Sequence, residues 1–402
     1  MYRWIDDQVR SVADKAKDRG LCAHCLGRTV AKAGSGMTNE ERGLELSDML
    51  GFELASPCWL CHDVFRHVPR FAEAVADAVL KVDSENFLVG CRVDPDISDR
   101  EKLLWEEAGG DLAEPIKSEL NREIGKAALP LIDRAVEFKS PQVVAVLDTR
   151  FASVEVDVAP LFIRGRYLKL SRDIPQTIWP CRSCRGKGCG RCDDTGKMYA
   201  HSVQEEIGDP ARELVDGKEH LFHGMGREDV DALMLGDGRP FILEIRQPRT
   251  RDIDLDELER IVNCSDLVQV RELRLAHRSE VADMKAATPS KTYRAQVVLE
   301  GKVNKERVNE VAKSFTKLHI DQRTPSRVSH RRADLVRRRE IRSVEVEEVS
   351  EEGIVLLLEA ESGTYVKEFV SGDEGRTVPS FSGELGIPCR VESLDVIAIN
   401  DR

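Results

Sequence analysis

The sequence predicts an α+β protein in which a mixed N-terminal part is followed by a mainly antiparallel-sheet domain. Three observations carry this. The hydrophobic period changes from helical to strand-like near residue 83, where Phe87-Leu-Val-Gly-Cys-Arg-Val93 follows three helical stretches. Beyond residue 200, short apolar runs alternate with only two helical stretches, the pattern of an antiparallel sheet with helices to one side. Eight of the 11 cysteines fall in four Cys-x-x-Cys pairs, which read as metal staples. At roughly 100–200 residues per domain, the 402-residue chain allows two or three domains.

Taken in order, residues 3–19 carry Ile5, Val9, Val12 and Ala16 at helical spacing. Thr38 with Glu41 forms a capping-box pattern ahead of Leu44, Leu46 and Leu50. Phe71, Val75 and Val79 mark a helix over 70–82, and a polar helix follows the first strand around 98–126. Strands are expected around 142–148, 152–158 and 161–170. The Gly- and Cys-rich stretch 180–197 is too short and polar for a core. Strands then fall at 241–246, 267–275, 291–299, 341–348, 353–360 and 390–398, with helices at 255–263 and 304–316. The expected divisions are a helical metal-binding region over 1–82, an α+β domain over 83–178, a four-cysteine linker over 179–200 and the sheet domain over 201–402.

Composition narrows the class. Aromatics are only 5%, so the cores should be aliphatic. Sixty basic against 72 acidic residues give a net charge of -12, which excludes a wholly basic nucleic-acid coat but not local patches. The opening Met1-Tyr-Arg-Trp-Ile-Asp-Asp7 lacks the apolar core of a secretory signal. No apolar run reaches the ~18–20 residues that span a bilayer. A soluble, cytoplasmic protein without membrane association is expected.

In a reducing compartment, thiols at this spacing favour zinc over disulfides. Cys22/Cys25 and Cys58/Cys61 are separated by 32 residues, and Cys181/Cys184 and Cys189/Cys192 are nearly contiguous. Four thiolates fill a tetrahedral shell and leave no open position, so about two structural zincs are expected. Exchange of partners between the two sets stays open from spacing alone. His24 and His62 adjoin ligand cysteines but are not needed as ligands. Arg182, Arg185, Lys187, Arg191 and Lys197 would offset tetrathiolate charge and could also meet phosphate.

The most unusual stretch is Gly224-Met-Gly226-Arg227-Glu228-Asp229-Val230-Asp231, leading through Gly236-Asp237-Gly238-Arg239 into a strand. An acid flanked by glycines and a guanidinium suits either catalysis or an ordinary charged turn. Later come Ser290-Lys291-Thr292-Tyr293-Arg294 and Gly363-Thr364-Tyr365-Val366-Lys367. This series, Gly-Arg-x-Asp, Lys-x-Tyr-Arg and Gly-Thr-Tyr-x-Lys, resembles the three motifs of pseudouridine synthases. With Arg166-Tyr167-x-Lys169 and Pro175-Gln176-Thr177, it is similar over nearly the whole chain to the archaeal Pus-ten family of tRNA pseudouridine(54/55) synthases.

That resemblance implies a THUMP-like RNA-binding domain over 83–178 and a pseudouridine synthase catalytic domain over 201–402. It implies isomerisation of a T-loop uridine in tRNA, at position 54, 55 or both, without an organic cofactor and by a monomer. It makes Asp229 the catalytic aspartate, with Asp231 as its rival. Tyr293 would stack on the flipped uracil, and its phenol could assist loss of the C5 proton. Lys367 would pair with Asp229 and lower its pKa, although the bacterial TruB-type pattern carries arginine there. Arg227 and Tyr365 are expected beside the substrate.

Two basic stretches are candidate RNA contacts. Residues 322–342 hold eight arginines, among them Arg323, Arg327, Arg331 and Arg332, against two acids, a net of +6. Arg164-Gly-Arg166-Tyr167-Leu-Lys169-Leu-Ser-Arg172 adds +4. A THUMP-linked thiolase or methyltransferase would need a nucleotide or S-adenosylmethionine loop, and no such fingerprint is present. A zinc-stapled binding module resembling the Hsp40-type cysteine region would not require the three motifs in order.

Overall fold

The structure is a computed structural model that describes residues 4–329, 333–350 and 353–401. Arg331 and Arg332 lie outside the described residues. The chain forms two compact units, one of residues 1–159 with 247–251, the other of 160–246 with 252–402. Among the described residues, no helix is long and apolar enough to cross a membrane.

In the first unit, Asp6 caps helix Asp7–Ala16, which buries Val9, Val12, Ala13 and Ala16. The Thr38/Glu41 capping box opens helix Asn39–Leu50 as expected. This helix meets the short helix Ala23–Arg28 backbone to backbone. A Cβ on Gly27 would lie 1.8 Å from the Asn39 carbonyl oxygen, and one on Gly43 would lie 1.9 Å from that of Ala23. The polar helix expected over 98–126 is two helices, Pro95–Ala108 and Ile116–Ile132. Gly109 at φ 96° and Pro115 before the second helix break the run.

Strands β1 (Asn86–Arg92), β2 (Ala135–Val136), β3 (Val143–Asp148) and β4 (Ser153–Val158) form a four-stranded sheet in the order β2-β1-β3-β4. β1 runs parallel to β2 and β3, and β4 closes antiparallel on β3. Alternate residues Phe87, Val89 and Cys91 of β1 are buried in the same core as Leu120, Ile124 and Ala128.

The second unit is built on ten strands: β5 (Leu161–Lys169), β6 (Glu219–Gly224), β7 (Leu233–Arg246), β8 (Val268–Leu275), β9 (Ser290–Leu299), β10 (Leu318–Arg323), β11 (Val336–Val349), β12 (Ile354–Ala360), β13 (Thr377–Val378) and β14 (Cys389–Asn400). Their order is β13-β10-β11-β12-β9-β14-β7-β5-β8, with β6 also on β7. All pairings are antiparallel except β14 with β7, where Asp395 and Val396 face Leu233 and Met234. Gly236, at φ 59°, lets β7 cross β14 closely: a Cβ there would fall 1.7 Å from the Ile397 carbonyl oxygen.

Strand β5 departs from the expected boundary at 178. It lies between β7 and β8 in the large sheet and buries seven of its nine residues. Its cations look solvent-facing in the sequence because each is neutralised by groups remote along the chain. Stretch 179–200 is consequently an insertion inside the second unit, between β5 and helix Val203–Leu214, rather than a linker between units.

The glycine contact yields a stability test. Gly43→Ala must separate two helices, an overpacking cost of about 2 kcal/mol or more. We expect thermal unfolding of the first unit to shift down by about 5 °C or more. An unchanged melting temperature would contradict the close backbone approach.

Candidate active site

Between β6 and β7 the chain makes a tight loop, Met225–Ala232, whose neighbouring acids point in opposite directions. Glu228 is buried: its carboxylate receives the Arg239 Nε at 2.8 Å, and the Tyr167 hydroxyl lies 2.9 Å from both of its oxygens. The Glu228 and Arg239 side chains are 1% and 0% exposed. Gln176 donates to the Tyr167 hydroxyl at 2.7 Å and to the Gly226 carbonyl at 2.9 Å. Arg239 also donates to the Met225 carbonyl at 2.8 Å. With its neighbour tied inward, Asp229 presents a half-exposed carboxylate to a cavity of about 620 Å³.

Lys169 braces this loop from below. It is fully buried and its ammonium donates to the carbonyls of Ile174, Asp229 and Val230 at 3.1, 3.2 and 2.6 Å. Burial pulls its pKa below the ordinary lysine value, opposed mainly by the charges of Glu228 and Asp231. Arg172 holds the Asp231 carbonyl at 3.0 Å and pairs with Asp395 at 2.6 Å. Arg166 forks onto Asp401 at 3.0 and 3.1 Å and holds the carbonyls of Asp237 and Gly238. Arg166, Tyr167 and Lys169, expected as RNA contacts, are therefore interior supports: all three are buried and their polar groups are consumed.

Across the cavity the expected ion pair is rearranged. Lys367 bonds Asp231 at 2.6 Å, not Asp229. Burial disfavours the charged Asp231, but the Lys367 hydrogen bond and charge outweigh it and hold its pKa below the ordinary value. Asp229 instead faces a guanidinium, Arg327 Nη1 at 3.3 Å. Arg327 is fixed by Glu368, 2.6 Å from its Nε, and lies 5.9 Å from the centre of the Tyr365 ring. The cation facing Asp229 thus comes from the turn Ser326–Val328 rather than from the third motif. Spacing could not reveal this, since the two residues are about a hundred positions apart.

Tyr293 of β9 lines the same cavity, 8% exposed, its phenol pushed up to about 12 by burial. Lys291, two residues earlier and so on the same strand face, also reaches it. Burial, reinforced by the charge of Arg239, pushes the Lys291 ammonium down to about 8. Lys291 has no role in the three-motif resemblance; its two-residue spacing from Tyr293 is the signal the sequence offers. Arg227 and Tyr365 line the cavity, and so does Trp179, whose ring centre is 5.7 Å from the Arg227 guanidinium carbon.

The 322–342 stretch is less available than its charge suggests. Arg323 pairs with Asp334 at 2.6 Å, Arg339 with Glu361 at 3.2 Å and Arg342 with Glu359 at 3.1 Å.

The cysteines gather in two sets, Cys22, Cys25, Cys58 and Cys61 in one and Cys181, Cys184, Cys189 and Cys192 in the other, so the exchange of partners that spacing leaves open does not occur. The Cys22–Cys61 sulfurs are 3.6 Å apart, and Cys192 lies 3.8 and 3.7 Å from Cys184 and Cys189. A tetrahedral ion with metal–sulfur bonds of about 2.3 Å demands sulfurs about 3.8 Å apart. Backbone N–H groups of Cys22 and Gly196 also donate to Cys58 and Cys192 sulfurs, both at 3.3 Å. Beside the first set, the buried Arg28 pairs with Glu101 at 3.3 Å and also feels the charge of Cys25, a cation suited to a metal tetrathiolate. Both sets could hold a metal ion.

Comparison with known proteins agrees with this arrangement. Residues 162–400 match the family model "Pus10, C-terminal", and residues 71–148 match "Pus10 THUMP domain, archaeal". The tRNA pseudouridine synthase Pus10 of Methanothermobacter marburgensis is 42% identical over 404 residues, covering 99% of both chains. That of Halorubrum lacusprofundi is 40% identical, covering 97% of this chain and 96% of its own. That of Pyrococcus furiosus is 37% identical, covering 96% of both.

The cysteine geometry predicts two metal equivalents per chain by elemental analysis. Cys58→Ser should lose one and destabilise the first unit, whereas Cys192→Ser should lose the other. Full metal content in both variants would overturn the two-site arrangement.

Proposed function

Since the chain belongs to the Pus10 family of tRNA pseudouridine synthases, we propose that its second unit converts uridine to pseudouridine in the T-loop of tRNA, at position 54, 55 or both, with Asp229 as the catalytic carboxylate. The observation that carries this reading is the Asp229 carboxylate at the cavity, 3.3 Å from the Arg327 guanidinium, while its neighbour Glu228 is locked away.

The reaction breaks the ribose C1′–N1 bond and forms a C1′–C5 bond. A uridine buried in a helix or loop stack must first be turned out into the cavity. Asp229 acts at the ribose, as nucleophile at C1′ or as base, while the bonding pair of C1′–N1 leaves with the uracil. Arg327 orients the carboxylate for this step. The detached uracil turns, C5 bonds to C1′ as any C1′–Asp229 bond breaks, the C5 proton is lost and N1 takes up a proton. The product is therefore an isomer of the substrate, and no organic cofactor is needed.

Tyr293 serves better as a stacking platform than as a base, because a phenol titrating at about 12 is neutral at physiological pH. Lys291 supplies an ammonium to the same wall, suited to a uracil carbonyl oxygen. The working unit in this reading is a monomer. Zinc is the ion best suited to both four-cysteine sets, where it would staple structure and take no part in the reaction.

Two substitutions test the assignment. Asp229→Asn preserves shape and removes the carboxylate, so pseudouridine in the T-loop, mapped by carbodiimide chemistry, should fall on the order of 10³-fold or more. Its tRNA affinity should stay within a few-fold of the parent. An active variant would overturn the role of Asp229.

Lys169→Met keeps the stem but removes the three bonds beneath the loop. A slight displacement of reacting groups can cost ~10²-fold in rate. We therefore expect kcat to drop about 10- to 100-fold with tRNA affinity nearly unchanged. Weakened affinity with intact kcat would restore Lys169 to an RNA-contacting role.

A further inference from the structure

The cations of 322–342 that are described are largely paired with acids, which raises the question of where the catalytic unit holds a polyanion. The four-cysteine insertion answers it differently from its surroundings. Arg182, Arg185, Lys187 and Arg191 are all exposed, and no acidic partner is found for any of them among the described residues. The Arg191 guanidinium donates to the Ser183 hydroxyl at 3.2 Å.

This ribbon is also physically tied to the cavity. Pro180 and Lys197 form a β-bridge at its base. Cys181 N–H donates to the Gly196 carbonyl at 2.7 Å, and Met198 N–H donates to that of Trp179 at 2.9 Å. The Trp179 and Tyr199 rings meet edge to face at 5.6 Å. Trp179 thus stands at the root of the ribbon while lining the same cavity as Asp229. A half-buried indole beside an exposed guanidinium suits a nucleobase face flanked by phosphate.

We propose that the four-cysteine ribbon is an RNA-docking element of the catalytic unit: Arg182, Arg185, Lys187 and Arg191 take phosphates of the strand flanking the flipped uridine, and Trp179 stacks on an adjacent base. This rests on the reading that RNA enters the Asp229 cavity. The competing role for the same cations is to offset the negative charge of a metal tetrathiolate. The two roles separate experimentally, because only phosphate contacts release counterions when RNA binds.

The test uses the full chain, an unmodified tRNA transcript and filter binding across a potassium chloride series. For the triple variant Arg182→Ala, Arg185→Ala, Lys187→Ala, the slope of log affinity against log salt should shrink by about 2, each lost single-strand contact being worth ~0.7. Affinity near 100 mM salt should fall about tenfold or more, with metal content unchanged. Trp179→Ala should weaken binding roughly tenfold, and Trp179→Phe, which keeps a stacking face, should recover most of it. A parental slope and affinity in the triple variant would overturn the proposal, as would metal loss with an unchanged slope. Equal binding by both Trp179 variants and the parent would remove the stacking element. These readouts need no turnover. A parent chain that binds tRNA but makes no pseudouridine would overturn the enzymatic reading and leave the ribbon result standing. A parent that does not bind tRNA would overturn both.

Discussion

One buried ion pair decides which of two adjacent acids faces the cavity. Arg239 and Glu228 lie 2.8 Å apart with almost no exposure, and Tyr167 and Gln176 extend the network. Removing either partner of such a pair strands a charge in the interior, at a cost of about 3–5 kcal/mol. The pair is accordingly weak as a source of net stability and strong as a constraint on conformation. With Glu228 committed inward, the following residue must turn outward, and Asp229 is the acid delivered. Lys169 and Arg172 then hold backbone carbonyls along the same loop, and Arg166 holds those of Asp237 and Gly238 in β7, so the loop's path is specified by side chains from the end of β5 and the turn after it.

That arrangement explains what could and could not be read from residues alone. The three motifs lie on or beside strands whose local patterns are strong, and Tyr293, Tyr365 and Lys367 meet Asp231 and Asp229 around one cavity. The capping box at Thr38 and the two cysteine sets follow equally local rules. Ion pairing does not. Lys367 finds Asp231 and Arg327 finds Asp229 because of how strands β9 to β14 fold over the loop, a relation with no periodic signature. Strand β5 illustrates the same limit. Its Arg, Tyr and Lys look like an exposed basic edge until Glu228, Asp401 and a set of carbonyls neutralise them from distant parts of the chain.

The distribution of charge follows from this. A chain with a net charge of -12 can contain a basic stretch whose exposed arginines are already ion-paired, because the surplus acids are also the nearest partners. In residues 322–342, Asp334, Glu359 and Glu361 consume arginines that composition alone would assign to RNA. Sequence density of cations therefore does not report how many of them are left without an acidic partner. The shorter ribbon, with fewer cations, keeps more of them unpaired.

Two carboxylate–cation pairs side by side also divide labour at the cavity. An ammonium is a compact, strongly hydrated charge, whereas a guanidinium is planar and directs its donors in a fixed fork. Lys367 on Asp231, the more exposed acid, secures the outer edge of the loop without demanding one geometry. Arg327 on Asp229 is itself oriented by Glu368, which is 7% exposed, so the proposed catalytic carboxylate meets a donor held from behind. Exchanging the partners would leave the total charge unchanged but would give the reacting acid the less directional cation. The replacement of the third-motif arginine by lysine is thus compatible with directional control of Asp229, because the guanidinium arrives from another segment.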